Sequence, residues 1–148
     1  MAKKTSTLNT LIDLARTDTD EAARKLAQLA QARREAEQQL DTLLSYRKDY
    51  ADRLLQESKI GLTASNYHNF RQFIATLDDA ISQQNRMLEQ MDDKLRKGQD
   101  SWQAEKKRLN SFEILQTRQL RQEAVRESRR EQRLNDEISA RGFRGLGH

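Results

Sequence analysis

Apolar residues recur on a seven-residue beat along almost the whole chain, and the beat is interrupted once. In the first half, Leu8, Ile12, Ala15, Ala22, Leu26, Leu29, Ala36, Leu40, Leu43, Tyr50 and Leu54 follow one another by alternating steps of four and three. Thr19, Arg33 and Arg47 fill the remaining places. The pattern stops around Ser58–Ser65. It resumes with Phe70, Ile74, Leu77, Ile81, Leu88, Met91, Leu95, Trp102, Leu109 and Phe112, with Gln84, Gly98, Glu105 and Gln116 in the gaps. A repeat of this kind keeps one narrow face of a helix against a partner helix and imposes a left-handed supercoil. It leaves no period-two alternation for strands.

The partner helix is found within the chain. If the chain folds back at Gly61–Thr63, facing seam residues have numbers that sum to 124, from Leu54 with Phe70 through to Leu8 with Gln116. Sizes complement across that register: Ala15 faces Leu109, Ala22 faces Trp102, Ala36 faces Leu88, and Gly98 faces Leu26. Close packing favours such large-against-small pairs. The expected fold is therefore all-α, two long helices forming an antiparallel coiled-coil hairpin, with the second helix longer than the first. The expected boundaries are a flexible N-terminus over 1–7, a first helix over 8–57 and a turn over 58–65. A second helix follows over 66–140, unpaired from about 117, then a flexible tail over 141–148. Thr7 and Ser65 are the expected N-caps, and Gly61 supplies a positive φ in the turn. The overhang projects roughly 35–40 Å at 1.5 Å per residue. Seam composition predicts a weaker pair at the open end and a stiffer one near the tip.

Composition agrees and excludes other classes. The 148 residues include no proline, no cysteine and five glycines, so little punctuates a helix. Without cysteine there is neither a disulfide frame nor a thiolate metal site. The longest apolar run is Phe73-Ile74-Ala75, far short of the roughly 20 residues of a membrane span. Met1-Ala-Lys-Lys is not followed by an apolar stretch, so no secretory signal is read and the expected compartment is the cytoplasm.

Catalytic constellations find no support, and neither an enzymatic role nor a cofactor is expected. His68 reads as a surface residue, and the other histidine is the last residue, His148. Asp78-Asp79 and Asp92-Asp93 are paired carboxylates beside the seam, facing water, where nothing shifts a pKa for acid–base work. The glycines of 142–147 lack the strand and helix that a phosphate loop requires. Trp102 reads as a core residue opposite Ala22. Two regions are more informative. Residues 117–144 hold eight arginines against five acids, and Arg126, Arg129, Arg130 and Arg133 form one stripe. The stripe is either a solvated face or a docking site for an acidic protein surface or an anionic polymer. At the tip, Tyr46, Tyr50, Tyr67, Phe70 and Phe73 hold five of the eight aromatics. A two-helix seam cannot bury all of these rings, and exposed ring surface marks either a capped hairpin end or an interaction site.

The stretch from Leu40 to Gln84 resembles the FliJ family of bacterial flagella, through Leu43, Tyr46, Tyr50, Gly61, Ala64-Ser65-Asn66, Phe73-Ile74, Leu77 and Ala80-Ile81. Leu8, Leu11-x-Asp13-Leu14-Ala15, Ala22-Ala23-Arg24, Ser101-Trp102 and Glu105-Lys106-Lys107-x-Leu109 extend the resemblance over roughly residues 8–115. The resemblance implies a non-enzymatic component of the flagellar type III export apparatus, similar to the central stalk of rotary ATP synthases. It implies insertion into the ring of the export ATPase FliI, contact with the export gate protein FlhA, and engagement of export chaperones. Such a protein works in the cytoplasm, recruited to the inner membrane at the flagellar base. The FlhA contact maps by resemblance onto Gln39, Leu43, Tyr46, Tyr50, Phe73, Leu77, Ala80 and Gln84, where Gln84 replaces the histidine of the enterobacterial pattern. By the stalk analogy, Arg126, Arg129, Arg130 and Arg133 meet the ATPase ring. The alternatives are a basic coiled-coil nucleic-acid-binding or nucleoid protein, or an unrelated coiled-coil adaptor.

Overall fold

The structure is a computed structural model that describes residues 2–146, with side chains described for residues 5–142. It is all-α: α1 (Ala2–Ile60) and α2 (Ala64–Leu146) pack against each other as an antiparallel hairpin, and α2 is the longer. Every seam position named from the sequence is buried or half-buried, and none is exposed. The helices therefore form where the heptads predict them, and the buried stripe is the one the four-three spacing traces.

The turn is tighter than expected. It occupies only Gly61–Thr63. Gly61 sits at φ +112°, a conformation that side-chain-bearing residues avoid, and its N–H donates to the Glu57 carbonyl at 3.1 Å. The cap of α2 is Thr63 rather than Ser65: the Thr63 hydroxyl accepts the Asn66 N–H at 3.2 Å, and its carbonyl accepts the first intrahelical bond from Tyr67 at 3.0 Å. A single positive-φ glycine reverses the chain quickly enough for the cap to arrive two positions early. The first helix likewise starts at Ala2 rather than after a cap at Thr7, and Thr5 in the added turn donates to Glu123 at 3.4 Å. Pairing thus reaches past residue 117. Of the expected flexible termini, Met1, Gly147 and His148 lie outside the described residues, and α2 continues through Leu146.

The chain falls into two units. One is Glu21–Gln103, which contains the turn. Within it Ala36, Leu77 and Leu88 are buried, and Gly98 lets α1 approach: a Cβ there would lie 3.3 Å from Leu29 Cδ1 and 3.4 Å from Leu26 Cδ1. The expected pairing of Gly98 with Leu26 is therefore realised. Three polar layers cross this part of the seam. Arg33 pairs with Asp92, Arg47 pairs with Asp78, and between them the Gln84 amide donates to the Ala36 carbonyl at 2.8 Å and to Gln39 at 3.2 Å. A buried amide must find partners, and Gln84 finds them in one register only.

The other unit joins the segment through Asp20 to the segment from Ala104 onward. Ile12 and Ala15 are each 2% exposed and Leu8 7%, so α1 has most of its buried side chains here. The seam register sets Ala15 and Ile12 opposite Leu109 and Phe112, which are half-buried. Gln116 donates to Asn9 at 2.8 Å, and Arg16 reaches Glu113 at 3.8 Å. One flaw remains. Glu105, opposite Thr19, has a buried carboxylate oxygen with no hydrogen-bond partner among the described residues, while Thr19 bonds back to the Ala15 carbonyl at 2.7 Å. Leaving a buried polar atom unsatisfied costs about 1–3 kcal/mol. Glu105→Leu is therefore expected to stabilise the protein by about 1 kcal/mol or more, read as a rise in the urea midpoint. An unchanged or lowered midpoint would show that the carboxylate is solvated.

Candidate interaction surfaces

The seam divides the surface of unit Glu21–Gln103 into two flanks of different chemistry. Asp78 and Asp92 each follow a seam position by one residue, and their ion pairs with Arg47 and Arg33 charge that flank. The hydrogen bond that Arg33 donates to Asp92, ahead of the attraction of the Asp92 charge, holds the Arg33 guanidinium above its ordinary pKa, and Asp78 does the same for Arg47. Gln39, Tyr46, Phe73, Ala80 and Met87 each precede a seam position by one residue, which puts them on the other flank. None of these five carries a charge, whereas Lys25, Arg53 and Lys94, which also precede seam positions, do. The flank is thus uncharged only along the stretch that these five residues mark, a property that the seam pattern alone does not reveal.

On this stretch of flank the aromatic rings are built in layers. Tyr50 is half-buried in the seam, and its ring centroid lies 4.4 Å from that of Phe73 and 6.1 Å from that of Phe70. Phe73 rests on Tyr50 and still exposes 43% of its surface; Tyr46, one turn back on α1, exposes 54%. Arg53 lies 5.8 Å from the Tyr50 ring centroid. Seated rings of this kind lose little freedom on binding, since packing already fixes them. Beside them Gln39, Leu43 and Gln84 line one open depression together with Glu35, Gln38 and Thr42. Tyr46 lines a second with Asp41, Thr42, Ser45 and Asp49.

The eight residues assigned to this surface by resemblance therefore do not play equal parts. Tyr46, Phe73 and Gln39 are exposed, and Leu43, Tyr50 and Ala80 are half-buried beside them. Leu77 is buried in the seam and Gln84 is committed to Ala36 and Gln39, so both support the surface from beneath. Met87, 45% exposed, extends the flank one heptad beyond Ala80. The spacing 73, 80, 87 was the signal for it. His68 is exposed, and among the described residues no group of three or more His, Asp or Glu is placed to hold a metal ion. Among the described residues no helix is long and apolar enough to cross a membrane.

In the other unit, every residue from Leu120 to Gly142 is exposed, including Arg126, Arg129, Arg130 and Arg133. Leu120, Val125, Leu134 and Ile138 are exposed among them. Long arginines and isolated apolar side chains thus share one exposed helical segment.

Comparison with known proteins gives a consistent result. A family model described as Flagellar FliJ protein matches residues 4–147. The Flagellar FliJ protein of Escherichia coli (strain K12) is 35% identical over 134 residues, covering 90% of this chain and 91% of the relative. The protein of the same description from Salmonella typhi is 35% identical over the same length, with the same coverage.

Proposed function

The chain belongs to the flagellar FliJ protein family, and on that premise we propose that it works in flagellar protein export as a non-catalytic coiled-coil stalk. The stalk inserts into the ring of the export ATPase FliI and stimulates it, contacts the export gate protein FlhA, and engages the export chaperones. Its place of action is the cytoplasmic face of the inner membrane at the flagellar base. The protein contributes shape and contacts, and the ATPase contributes the chemistry.

The observation that carries this reading is the stretch of flank on which Tyr46 and Phe73 are exposed while Tyr50 holds Phe73 from below. Large rings seated on a packed layer are the common form of an interface anchor. In this reading Gln39, Leu43, Tyr46, Tyr50, Phe73 and Ala80 meet FlhA, and Leu77 and Gln84 keep their neighbours in place. Arg126, Arg129, Arg130 and Arg133 meet the ATPase ring through carboxylates. A pull-down with the full-length chain as bait tests the whole reading, and recovery of the export ATPase is the expected result.

The ATPase contact has its own test. Reversing Arg126, Arg129, Arg130 and Arg133 to glutamate turns four attractive contacts into repulsive ones. The variant is expected to lose most of its stimulation of ATP hydrolysis, by roughly tenfold or more, with unchanged helix content. Full stimulation by the variant assigns the stripe to solvent.

A further inference from the structure

The surface that carries Tyr46 and Phe73 belongs to two helices. Gln39 and Tyr46 come from α1, and Phe73, Ala80 and Met87 come from α2. Its form therefore depends on the register between them. A slip of one heptad moves one helix about 10 Å along the other. If α2 slips so that facing seam numbers sum to 117 rather than 124, Asn66 takes the place of Phe73 beside Tyr50. The contact between the Tyr50 and Phe73 rings, at 4.4 Å between centroids, is then lost.

Apolar periodicity within unit Glu21–Gln103 does not forbid that slip. In the slipped register Ala22 faces Leu95, Ala36 faces Ile81 and Leu43 faces Ile74. These layers stay apolar, and both alanines again meet a large residue. A repeat of seven is blind to a shift of seven.

The polar layers are not blind to it. Arg33 bonds Asp92 and Arg47 bonds Asp78, and the numbers of both pairs sum to 125. The two arginines stand 14 positions apart, as the two aspartates do, so one register satisfies both. The slip brings Arg33 to Asn85 and Arg47 to Arg71; a one-heptad slip the other way brings them to Gln99 and Asn85. Neither offers either arginine a carboxylate across the seam. Arg33 keeps Glu37 at 3.0 Å in any register, because that pair lies within α1. Gln84 adds a third constraint. Either slip takes its amide from Ala36 and Gln39 and sets it opposite Arg33 or Arg47. Ion pairs this open to water add little stability by themselves. The discrimination comes from what a slip leaves behind, two half-buried arginines without their carboxylates.

We propose that Arg33, Arg47, Asp78, Asp92 and Gln84 are positioning residues for partner binding, which hold the two helices in the one register that assembles the Tyr46–Phe73 surface. The two aspartates lie on the opposite flank, so their effect on the partner passes through the seam. This role rests on the reading of the Tyr46–Phe73 flank as the FlhA contact, whereas the register lock does not.

The turn also opposes a slip, since Gly61 supplies its positive φ. An insert of about four Gly and Ser residues after Gly61 in the full-length chain spans the slip and removes that constraint. The chain contains no cysteine, so introduced disulfides report the register. A36C/L88C joins residues that face each other in the observed register, and A36C/I81C joins those that face after the slip. In the lengthened-turn chain the first pair is expected to oxidise at least about tenfold faster than the second, since only thiols brought close can bridge. R71D/D78N/N85D/D92N moves both carboxylates one heptad towards the turn, where they meet Arg47 and Arg33 only after the slip. In that variant the ratio of the two rates is expected to fall at least about tenfold, because an arginine left unpaired in the seam is costly. A ratio below tenfold in the first chain, or a smaller fall in the second, assigns the register to the turn or to apolar packing and overturns the proposal.

Binding to FlhA is then read on the same two chains without cysteines. The moved carboxylates are expected to weaken it at least about tenfold with helix content unchanged, although Tyr46 and Phe73 are untouched, because the composite surface is taken apart. Undiminished binding by the slipped chain overturns the positioning role. If neither the natural nor the lengthened-turn chain binds FlhA while the disulfides report the two registers, the partner reading fails and the register lock stands.

Discussion

Replacing Tyr46 and Phe73 together by alanine is expected to weaken binding to FlhA on the order of 100-fold or more. Truncating a seated aromatic anchor costs about 2 kcal/mol or more, and each 1.4 kcal/mol is tenfold. Both rings are exposed on the same stretch of flank, and removal of Phe73 also strips the cover from Tyr50, whose ring centroid lies 4.4 Å away. The hairpin itself should tolerate the change. Neither residue is a seam position, and alanine favours helix more than either ring does, so the circular dichroism spectrum should keep its depth. Leu44→Ala supplies the control. Leu44 is exposed to a similar extent but follows a seam position, which puts it on the other flank. An equal loss from Leu44→Ala, or no loss from the double variant, would falsify the assignment of the contact to the Tyr46–Phe73 flank.

Ile12→Ala is expected to be the most damaging single truncation in the seam. Ile12 is 2% exposed, and the seam register sets it opposite Phe112 in a pair of helices that has no second layer behind it. Removing its branched side chain loses burial and leaves a void, together about 2–5 kcal/mol. The loss falls on the unit formed by the segment through Asp20 and the segment from Ala104 onward. Amide hydrogen exchange localises it: residues 8–19 and 105–116 should exchange at least about 30-fold faster, the ratio that corresponds to 2 kcal/mol. Leu14 is two positions away and 57% exposed, and Leu14→Ala should leave the same amides unchanged within a few-fold. Similar acceleration in both variants would mean that helix propensity, rather than packing, holds this unit together.

The sequence made part of the candidate surface readable and hid the rest. The surplus of rings near the turn was visible by counting, because a two-helix seam has room for few of them. The four-three spacing also sorted them, with Tyr50 and Phe70 in the seam and Tyr46 and Phe73 beside it. The contact between the helices was not visible: only the structure brings the Tyr50 and Phe73 ring centroids to 4.4 Å. Gln84 looked like a surface contact by resemblance. Its amide is instead drawn inward by the Ala36 carbonyl and by Gln39, partners that lie over 40 positions away in sequence. Met87 was missed although its spacing from Ala80 repeats that of Phe73.

The turn shows the same limit on a smaller scale. Gly61 was identified from its freedom at positive φ, which is a property of the residue itself. The cap depends on where the reversed chain first becomes helical, so Thr63 took the place expected of Ser65.

The sequence by itself determined that this chain is helical and that it folds back once. A seven-residue apolar period fits one backbone geometry, and an antiparallel hairpin then sets the seam register from the position of one glycine, as the approach of Gly98 to Leu26 shows. Tertiary structure alone decided how deeply each pair is buried. Ile12 and Ala15 sink, while Tyr50 and Phe70 stay half-buried. It also decided which polar seam residue finds partners. Period is a property of one chain read residue by residue, whereas burial depends on two side chains from distant segments sharing one space.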